Sequence, residues 1–349
     1  MTSRPRAGML PLLGVVVASA GCWRTNVDAI TGEPPSDGSA SGGSSGSGGS
    51  SATGGSSGGS SGSGASGSAS DASDGSSVDL GPDAQSCPSP ALRAGNTSQT
   101  VTMGTLTRSY TLHVPTSYDG KKPVPLILDF HGVGGSGTSE ANESPYPAVT
   151  DREGVVMAFP DGLPGPAGTA WNVGPCCVAD VDDVAFAKAV VADIQKTACI
   201  DADRVYAVGV LTGGGMAYYL ACQAADVFAA VAPAAFDLLA QNVDDCVPSR
   251  PITEISFRGT APSRVPYAGG DSSLVPRMPI TFLGAVATFE KWAQIDGCTG
   301  SASAKDGNGC SAYSGCERGV EVILCTKQGG GEDPGDPAIA WPVLKRHTR

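Results

Sequence analysis

RVYAVGVLTGGGMAYYLAC, residues 204–222, decides the fold. Residues 204–210 form a short apolar run rich in β-formers, the pattern of a strand buried on both faces. Glycines crowd the next positions, and residues 214–224 then read as a helix. A strand passing through a tight glycine turn into a helix is the building unit of a parallel α/β sheet. Similar runs surround it. Residues 109–115, 123–132, 154–162, 228–235, 251–260 and 319–327 read as strands, and residues 181–198 and 282–298 as helices. Asp182 and Asp183 stand near the start of the first helix, where acidic groups complement the helix dipole. The pattern predicts an α/β fold whose mostly parallel sheet carries helices on both faces. Sites in such sheets lie beyond the carboxyl ends of the strands.

The 349 residues divide by composition. Residues 1–22 read as a lipoprotein-type signal, with Arg4 and Arg6 ahead of an apolar run too short to span a bilayer and Cys22 as the residue to be lipidated. Ordinary secretion with cleavage nearby is the alternative. Residues 23–85 are dominated by Gly, Ser and Ala, lack the side chains to offset ordering entropy, and read as a disordered tether. About 50 such residues span roughly 40 Å as a coil. Residues 86–349 suit one domain. The net charge of −12 argues against a nucleic-acid partner and leaves Cys22 as the sole membrane attachment. Besides Cys22 there are ten cysteines, an even set that reads as disulfides in an exported chain. Three scattered histidines do not make a metal site, and no cofactor is expected.

The turn after residue 208 has the spacing of a nucleophile elbow, G-x-S-x-G, with Gly209 and Gly213 in place and Leu211 where the serine belongs. Further blocks are LILDFHGVGG (126–135), GVVMAFPDG (154–162), WNVGPCC (171–177), VDDVAF (181–186), RGTAPSRVPYAGG (258–270) and KWAQIDGC (291–298). Together they resemble the secreted feruloyl esterase and polyhydroxybutyrate depolymerase-like family of the α/β-hydrolase superfamily. The resemblance implies ester hydrolysis by a Ser-His-Asp triad. All three triad positions depart from the pattern. The nucleophile position is Leu211. The acid, which follows Gly-Thr-Ala, is Pro262. The histidine, which follows three glycines, is Glu332. Trp341-Pro342 stands after an extra DPGDPAIA, and the usual terminal helix is expected to be missing.

The resemblance also implies an oxyanion hole from the N–H groups of Val133 and Thr212. His131, Trp171 and Tyr267 are candidates for the ligand cleft, with packing roles as the alternative for each. Thr212, Asp271 and His347 are candidates for a relocated triad, and His113 reads as structural. Cys222 with Cys246, and Cys298 with Cys316, are the implied disulfides, with Cys310–Cys325 as a further link. Cys176 and Cys177 are expected to bond different partners, Cys199 and Cys87 among them. Three functions compete. The first is a catalytically impaired esterase relative binding plant cell-wall polysaccharide or aromatic and aliphatic esters. The second is an active esterase with a displaced nucleophile. The third is a decaying relic.

Overall fold

The computed structural model describes residues 87–349, so the signal, Cys22 and the tether fall outside the described residues. The chain opens with β1 (Gly95–Met103), β2 (Leu106–Val114) and β3 (Val124–Phe130). Helices α1 (Gly137–Glu143) and α2 (Pro147–Thr150) lead to β4 (Val156–Pro160) and a hairpin of β5 (Leu163–Gly165) and β6 (Gly168–Ala170). Then come α3 (Asp183–Gln195), β7 (Ile200–Val210), α4 (Thr212–Gln223), β8 (Ala230–Ala234) and β9 (Thr253–Gly259). A second hairpin, β10 (Gly270–Ser272) with β11 (Ile280–Phe282), precedes α5 (Ala285–Ile295), β12 (Cys310–Tyr313), β13 (Val322–Lys327) and α6 (Pro337–Leu344).

The main sheet runs β1-β2-β4-β3-β7-β8-β9-β13-β12. Its centre, β4 to β13, is parallel, and antiparallel strands close both edges. Alternation along each strand feeds two cores. Leu126, Leu128 and Phe130 pack with α3, α4 and α5, whereas Ile127, Tyr206, Val208 and Phe257 pack with α6. Arg108 and Asp183 form a buried ion pair under α3, and Asp183 also accepts the Asn172 N–H at 2.6 Å.

The chain closes with a helix, contrary to the sequence expectation. Trp341-Pro342 lies inside α6, so the residues read as extra form its lead-in and first turn. Asp336 caps that turn by accepting the Ala338 N–H at 2.8 Å, and Pro337 occupies the first position, where no donor is missed. Trp341 is 1% exposed and meets Tyr206 edge-on at 5.8 Å. Trp341→Ala is expected to cost about 3–5 kcal/mol, by truncating a large buried ring. A chemical-denaturation midpoint equal to that of the unmodified chain would show that α6 contributes no anchoring.

Five disulfides join the described cysteines: Cys87–Cys199, Cys176–Cys177, Cys222–Cys246, Cys298–Cys316 and Cys310–Cys325. The adjacent pair is a correction, since Cys176 and Cys177 bond each other. With Cys87 and Cys199 already joined between the chain's entry and the start of β7, no other described cysteine is left for them.

Candidate active site

Leu211 stands alone between β7 and α4 at φ 52°, ψ −122°. This left-handed conformation is costly for a side chain larger than glycine. It is held by Leu211 N–H donating to Ala234 O at 3.0 Å and by Leu211 O accepting the Gly215 N–H at 2.9 Å. The glycines after it are required by closeness: a side chain on Gly213 would collide with the Phe130 carbonyl, and one on Gly214 with Ala234 O. The backbone therefore presents residue 211 at the apex, at the carboxyl end of β7. A β-carbon placed on Gly132 would lie 3.4 Å from both Leu211 Cβ and Cδ1. The leucine thus leans on the loop that follows β3.

That loop offers donors. Val133 N–H has no acceptor among the described residues, and Thr212 N–H, at the first position of α4, has no intrahelical acceptor. His131 holds the loop from beneath. Gly162 N–H donates to its Nε2 at 2.9 Å, which places the proton on Nδ1, facing Gly132 O at 2.7 Å. Burial pushes the imidazole pKa down, so the ring stays neutral. Trp171 Nε1–H donates to His131 O at 2.9 Å, and its ring meets Phe130 edge-on at 5.0 Å. His131 and Trp171 are 1% and 0% exposed. Neither lines a cleft, which corrects that expectation: His131 Nδ1 and the indole N–H face the loop after β3, and His131 Nε2 takes the Gly162 N–H from the loop after β4.

The loops after β9 and β13 are joined. Thr260 N–H donates to Lys327 O at 3.1 Å, Ala261 N–H to Gly330 O at 2.8 Å, and Gly329 N–H to Thr260 Oγ1 at 2.9 Å. Pro262 is exposed in the first loop. Glu332, in the second, grips Arg264 with both oxygens at 2.9 Å. The Arg264 hydrogen bonds hold its carboxyl below the usual range. Where the resemblance implies an Asp–His hydrogen bond, these loops share an Arg–Glu ion pair. Glu332→Gln is expected to change stability by less than about 1 kcal/mol, because half-exposed pairs contribute little. Hydrogen exchange across residues 328–335 should rise, and unchanged exchange would show that the pair does not fasten the loops.

The relocated triad does not assemble. Thr212 is fully buried and its Oγ1 has no partner. His347 lies at the other end of β7: its carbonyl accepts the Tyr206 O–H at 2.9 Å, and its Nε2 faces Glu321 at 2.9 Å. Beside it, Arg349 N–H donates to Asp203 O, seven residues before the end of β7 and so roughly 20 Å from the elbow. Asp271 accepts the Thr281 O–H at 2.7 Å on the exposed β10–β11 hairpin. Spacing in the sequence carries no information about which end of a sheet a residue occupies. Tyr267 is half-buried, its hydroxyl 3.0 Å from Thr326 Oγ1 and its ring 5.9 Å from the Arg258 guanidinium. His113 bonds Asn96 and Asp151 at the β1–β2 edge.

A buried polar stripe beneath the site is not visible in the sequence. Arg258 on β9 pairs with Asp237 after β8 and donates to Val265 O at 2.8 Å, which anchors the loop carrying Pro262. Further down the strand lie Glu254 and, at the end of α5, Asp296, both fully buried. Among the described residues, neither Glu254 oxygen nor Asp296 Oδ2 has a hydrogen-bond partner. Burial raises all three carboxyl pKa values: Asp237 to about 6, Asp296 to about 7, and Glu254 well above its ordinary value. For Asp237, desolvation outweighs the attraction of Arg258.

The chain is 30% identical over 276 residues to "Putative esterase NocK" of Nocardia uniformis subsp. tsuyamanensis, covering 72% of this chain and 76% of that one. It is 43% identical over 244 residues to feruloyl esterase B of Piromyces equi, covering 69% of this chain. It belongs to the feruloyl esterase-like α/β-hydrolase family. The chain spans 45% of the length of feruloyl esterase B. The acetyl xylan esterase from Aspergillus awamori shares the fold, with a TM-score of 0.52 at 15% identity over 71% of this chain and 99% of that one. No family model matches. At the positions the resemblance points to, the chain has Leu211 at the turn between β7 and α4, Pro262 in the loop after β9 and Glu332 in the loop after β13.

Proposed function

We propose that this esterase-family chain is catalytically impaired and binds plant cell-wall polysaccharide or ester ligands without turning them over. The observation that carries the reading is Leu211 at the apex of an otherwise intact elbow. A leucine side chain has no atom able to attack an acyl carbon. Pro262 and the Arg264–Glu332 pair leave no base to recruit a substitute. The names of the relatives, feruloyl esterase and acetyl xylan esterase, supply the ligand class.

The five disulfides fit an exported protein. In this reading Cys22 carries the lipid anchor, and residues 23–85 hold the domain away from the membrane. Exposure of the purified protein to a fluorophosphonate probe, with p-nitrophenyl acetate turnover measured in parallel, tests the impairment. No adduct and no turnover are expected. An adduct mapped to any residue of the domain would overturn the reading.

A further inference from the structure

We propose that a cavity beside the joined loops at the ends of β9 and β13 binds a single uncharged sugar ring. This rests on the reading of the chain as a polysaccharide binder and names a place on it. The cavity measures about 490 Å³. Small-molecule sites run from about 300 to 1,000 Å³.

Its walls are apolar on several sides. Phe257 packs beneath Gly335, where a β-carbon would come within 2.9 Å of the ring. Pro145, Pro337, Ile339 and the Cys325 end of its disulfide complete the apolar surface. Thr326 also lines the cavity, and its hydroxyl meets Tyr267 of the loop that carries Pro262. The cavity therefore shares a wall with the former acid loop.

Charge selects the ligand. Every ionic side chain lining the cavity is already engaged. Lys327 Nζ meets Asp333 Oδ2 at 2.5 Å, and Asp333 Oδ1 accepts the Gly335 N–H at 3.0 Å. Asp336 caps α6, and Arg258 is paired with Asp237. An anionic ligand would find no free countercharge and would meet the field of Asp336 and Asp129, which both act on the neighbouring Tyr146. The uncommitted polar group is the Asn308 side-chain amide, which makes no hydrogen bond among the described residues and has both donor and acceptor atoms. Apolar walls with a free amide at the rim suit a pyranose ring, which presents C–H faces and hydroxyl edges.

The test is calorimetric titration of the full chain with xylotetraose and with the same oligosaccharide carrying a glucuronic acid branch. Three variants are compared: Asn308→Ala, Ile339→Trp and, at the elbow, Leu211→Trp. Binding of xylotetraose is expected, weakened about tenfold by Asn308→Ala and abolished by Ile339→Trp. The charged branch should not improve affinity. Asn308 is exposed, so its variant keeps the test sharp should Ile339→Trp fail to fold. Wild-type affinity in both cavity variants, or preference for the charged branch, would overturn the site. Binding lost only in Leu211→Trp would overturn the cavity and leave the binding reading standing. No binding of either oligosaccharide by the unmodified chain would overturn both.

Discussion

The triple variant Leu211→Ser, Pro262→Asp, Glu332→His should hydrolyse methyl ferulate about 10³-fold faster than the unmodified chain. The scale follows from what a triad supplies. In the best-measured serine hydrolase, removing the nucleophile costs about 10⁶ in rate, and oxyanion donors with binding leave roughly 10³ to 10⁴ over water. An unrefined revertant recovers part of that span. The backbone makes the recovery reasonable. Residue 211 already has the φ and ψ that place its side chain at the apex. Val133 N–H is free, and Thr212 N–H stands at the helix start. Serine also removes the Cδ atoms now leaning on Gly132. The loops holding positions 262 and 332 are joined through Thr260, Ala261 and Gly330, so the new carboxylate and imidazole start close together. Measurement of kcat/KM beside a melting curve decides the matter. A well-folded revertant with no rate above the unmodified chain would mean that the elbow's surroundings, and not only its side chains, have lost their catalytic form.

Asp296→Asn should stabilise the protein by about 2 kcal/mol at pH 8 and leave it nearly unchanged at pH 4. In the folded chain the Asp296 carboxyl holds its proton up to about pH 7, against an ordinary value of 3.8. Between those values the unfolded chain binds fewer protons than the native one, so stability falls as pH rises from about 4 through 7. Three pKa units would correspond to about 4 kcal/mol, and local relaxation reduces what is realised. Asparagine suits the site. Its carbonyl can keep the Ile252 N–H that Asp296 Oδ1 accepts at 3.1 Å. Its amide can donate from the place of Oδ2, which now has no partner, toward the partnerless Glu254. Arg250 and Glu317 also face Asp296, from the start of β9 and from the turn after β12. They are unaltered in the variant and leave its sign intact. Urea unfolding at both pH values checks this. An equal shift at pH 4 and pH 8 would show that packing, not ionisation, is what changed.

The central sheet was legible because β3, β4, β7 and β8 contain continuous apolar runs, and only a strand covered on both faces needs such a run. β1 was missed: GNTSQTVTM is largely exposed at the sheet edge and pairs only with β2. α6 was missed because the DPGDPAIA stretch before Trp341-Pro342 read as extra residues. Proline inside a helix is disfavoured, and burial of Trp341 and Leu344 decided otherwise. Positions 211, 262 and 332 were singled out by motif spacing alone. Their surroundings could not be read that way. Arg264 and Glu332 are 68 residues apart, and only the folded chain sets them side by side. Glu254, Ser256 and Arg258 alternate along β9 like a solvated face, yet they point into the core beneath α4 and α5.

The Arg264–Glu332 clamp acts as a ratchet on the chain's history. In a working triad, the histidine on one loop takes up and returns a proton, while the aspartate on the other stays charged and orients it. Here the two loops carry fixed opposites that lower each other's energy by staying charged. A lone histidine at 332 would meet a guanidinium instead of a carboxylate, which disfavours the protonated imidazole a hydrolytic cycle requires. A lone aspartate at 262 would stand two residues from that same guanidinium. On the proposed reading, an Asp at 262 or a His at 332 made alone would therefore start beside Arg264, so those two changes would have to be made together.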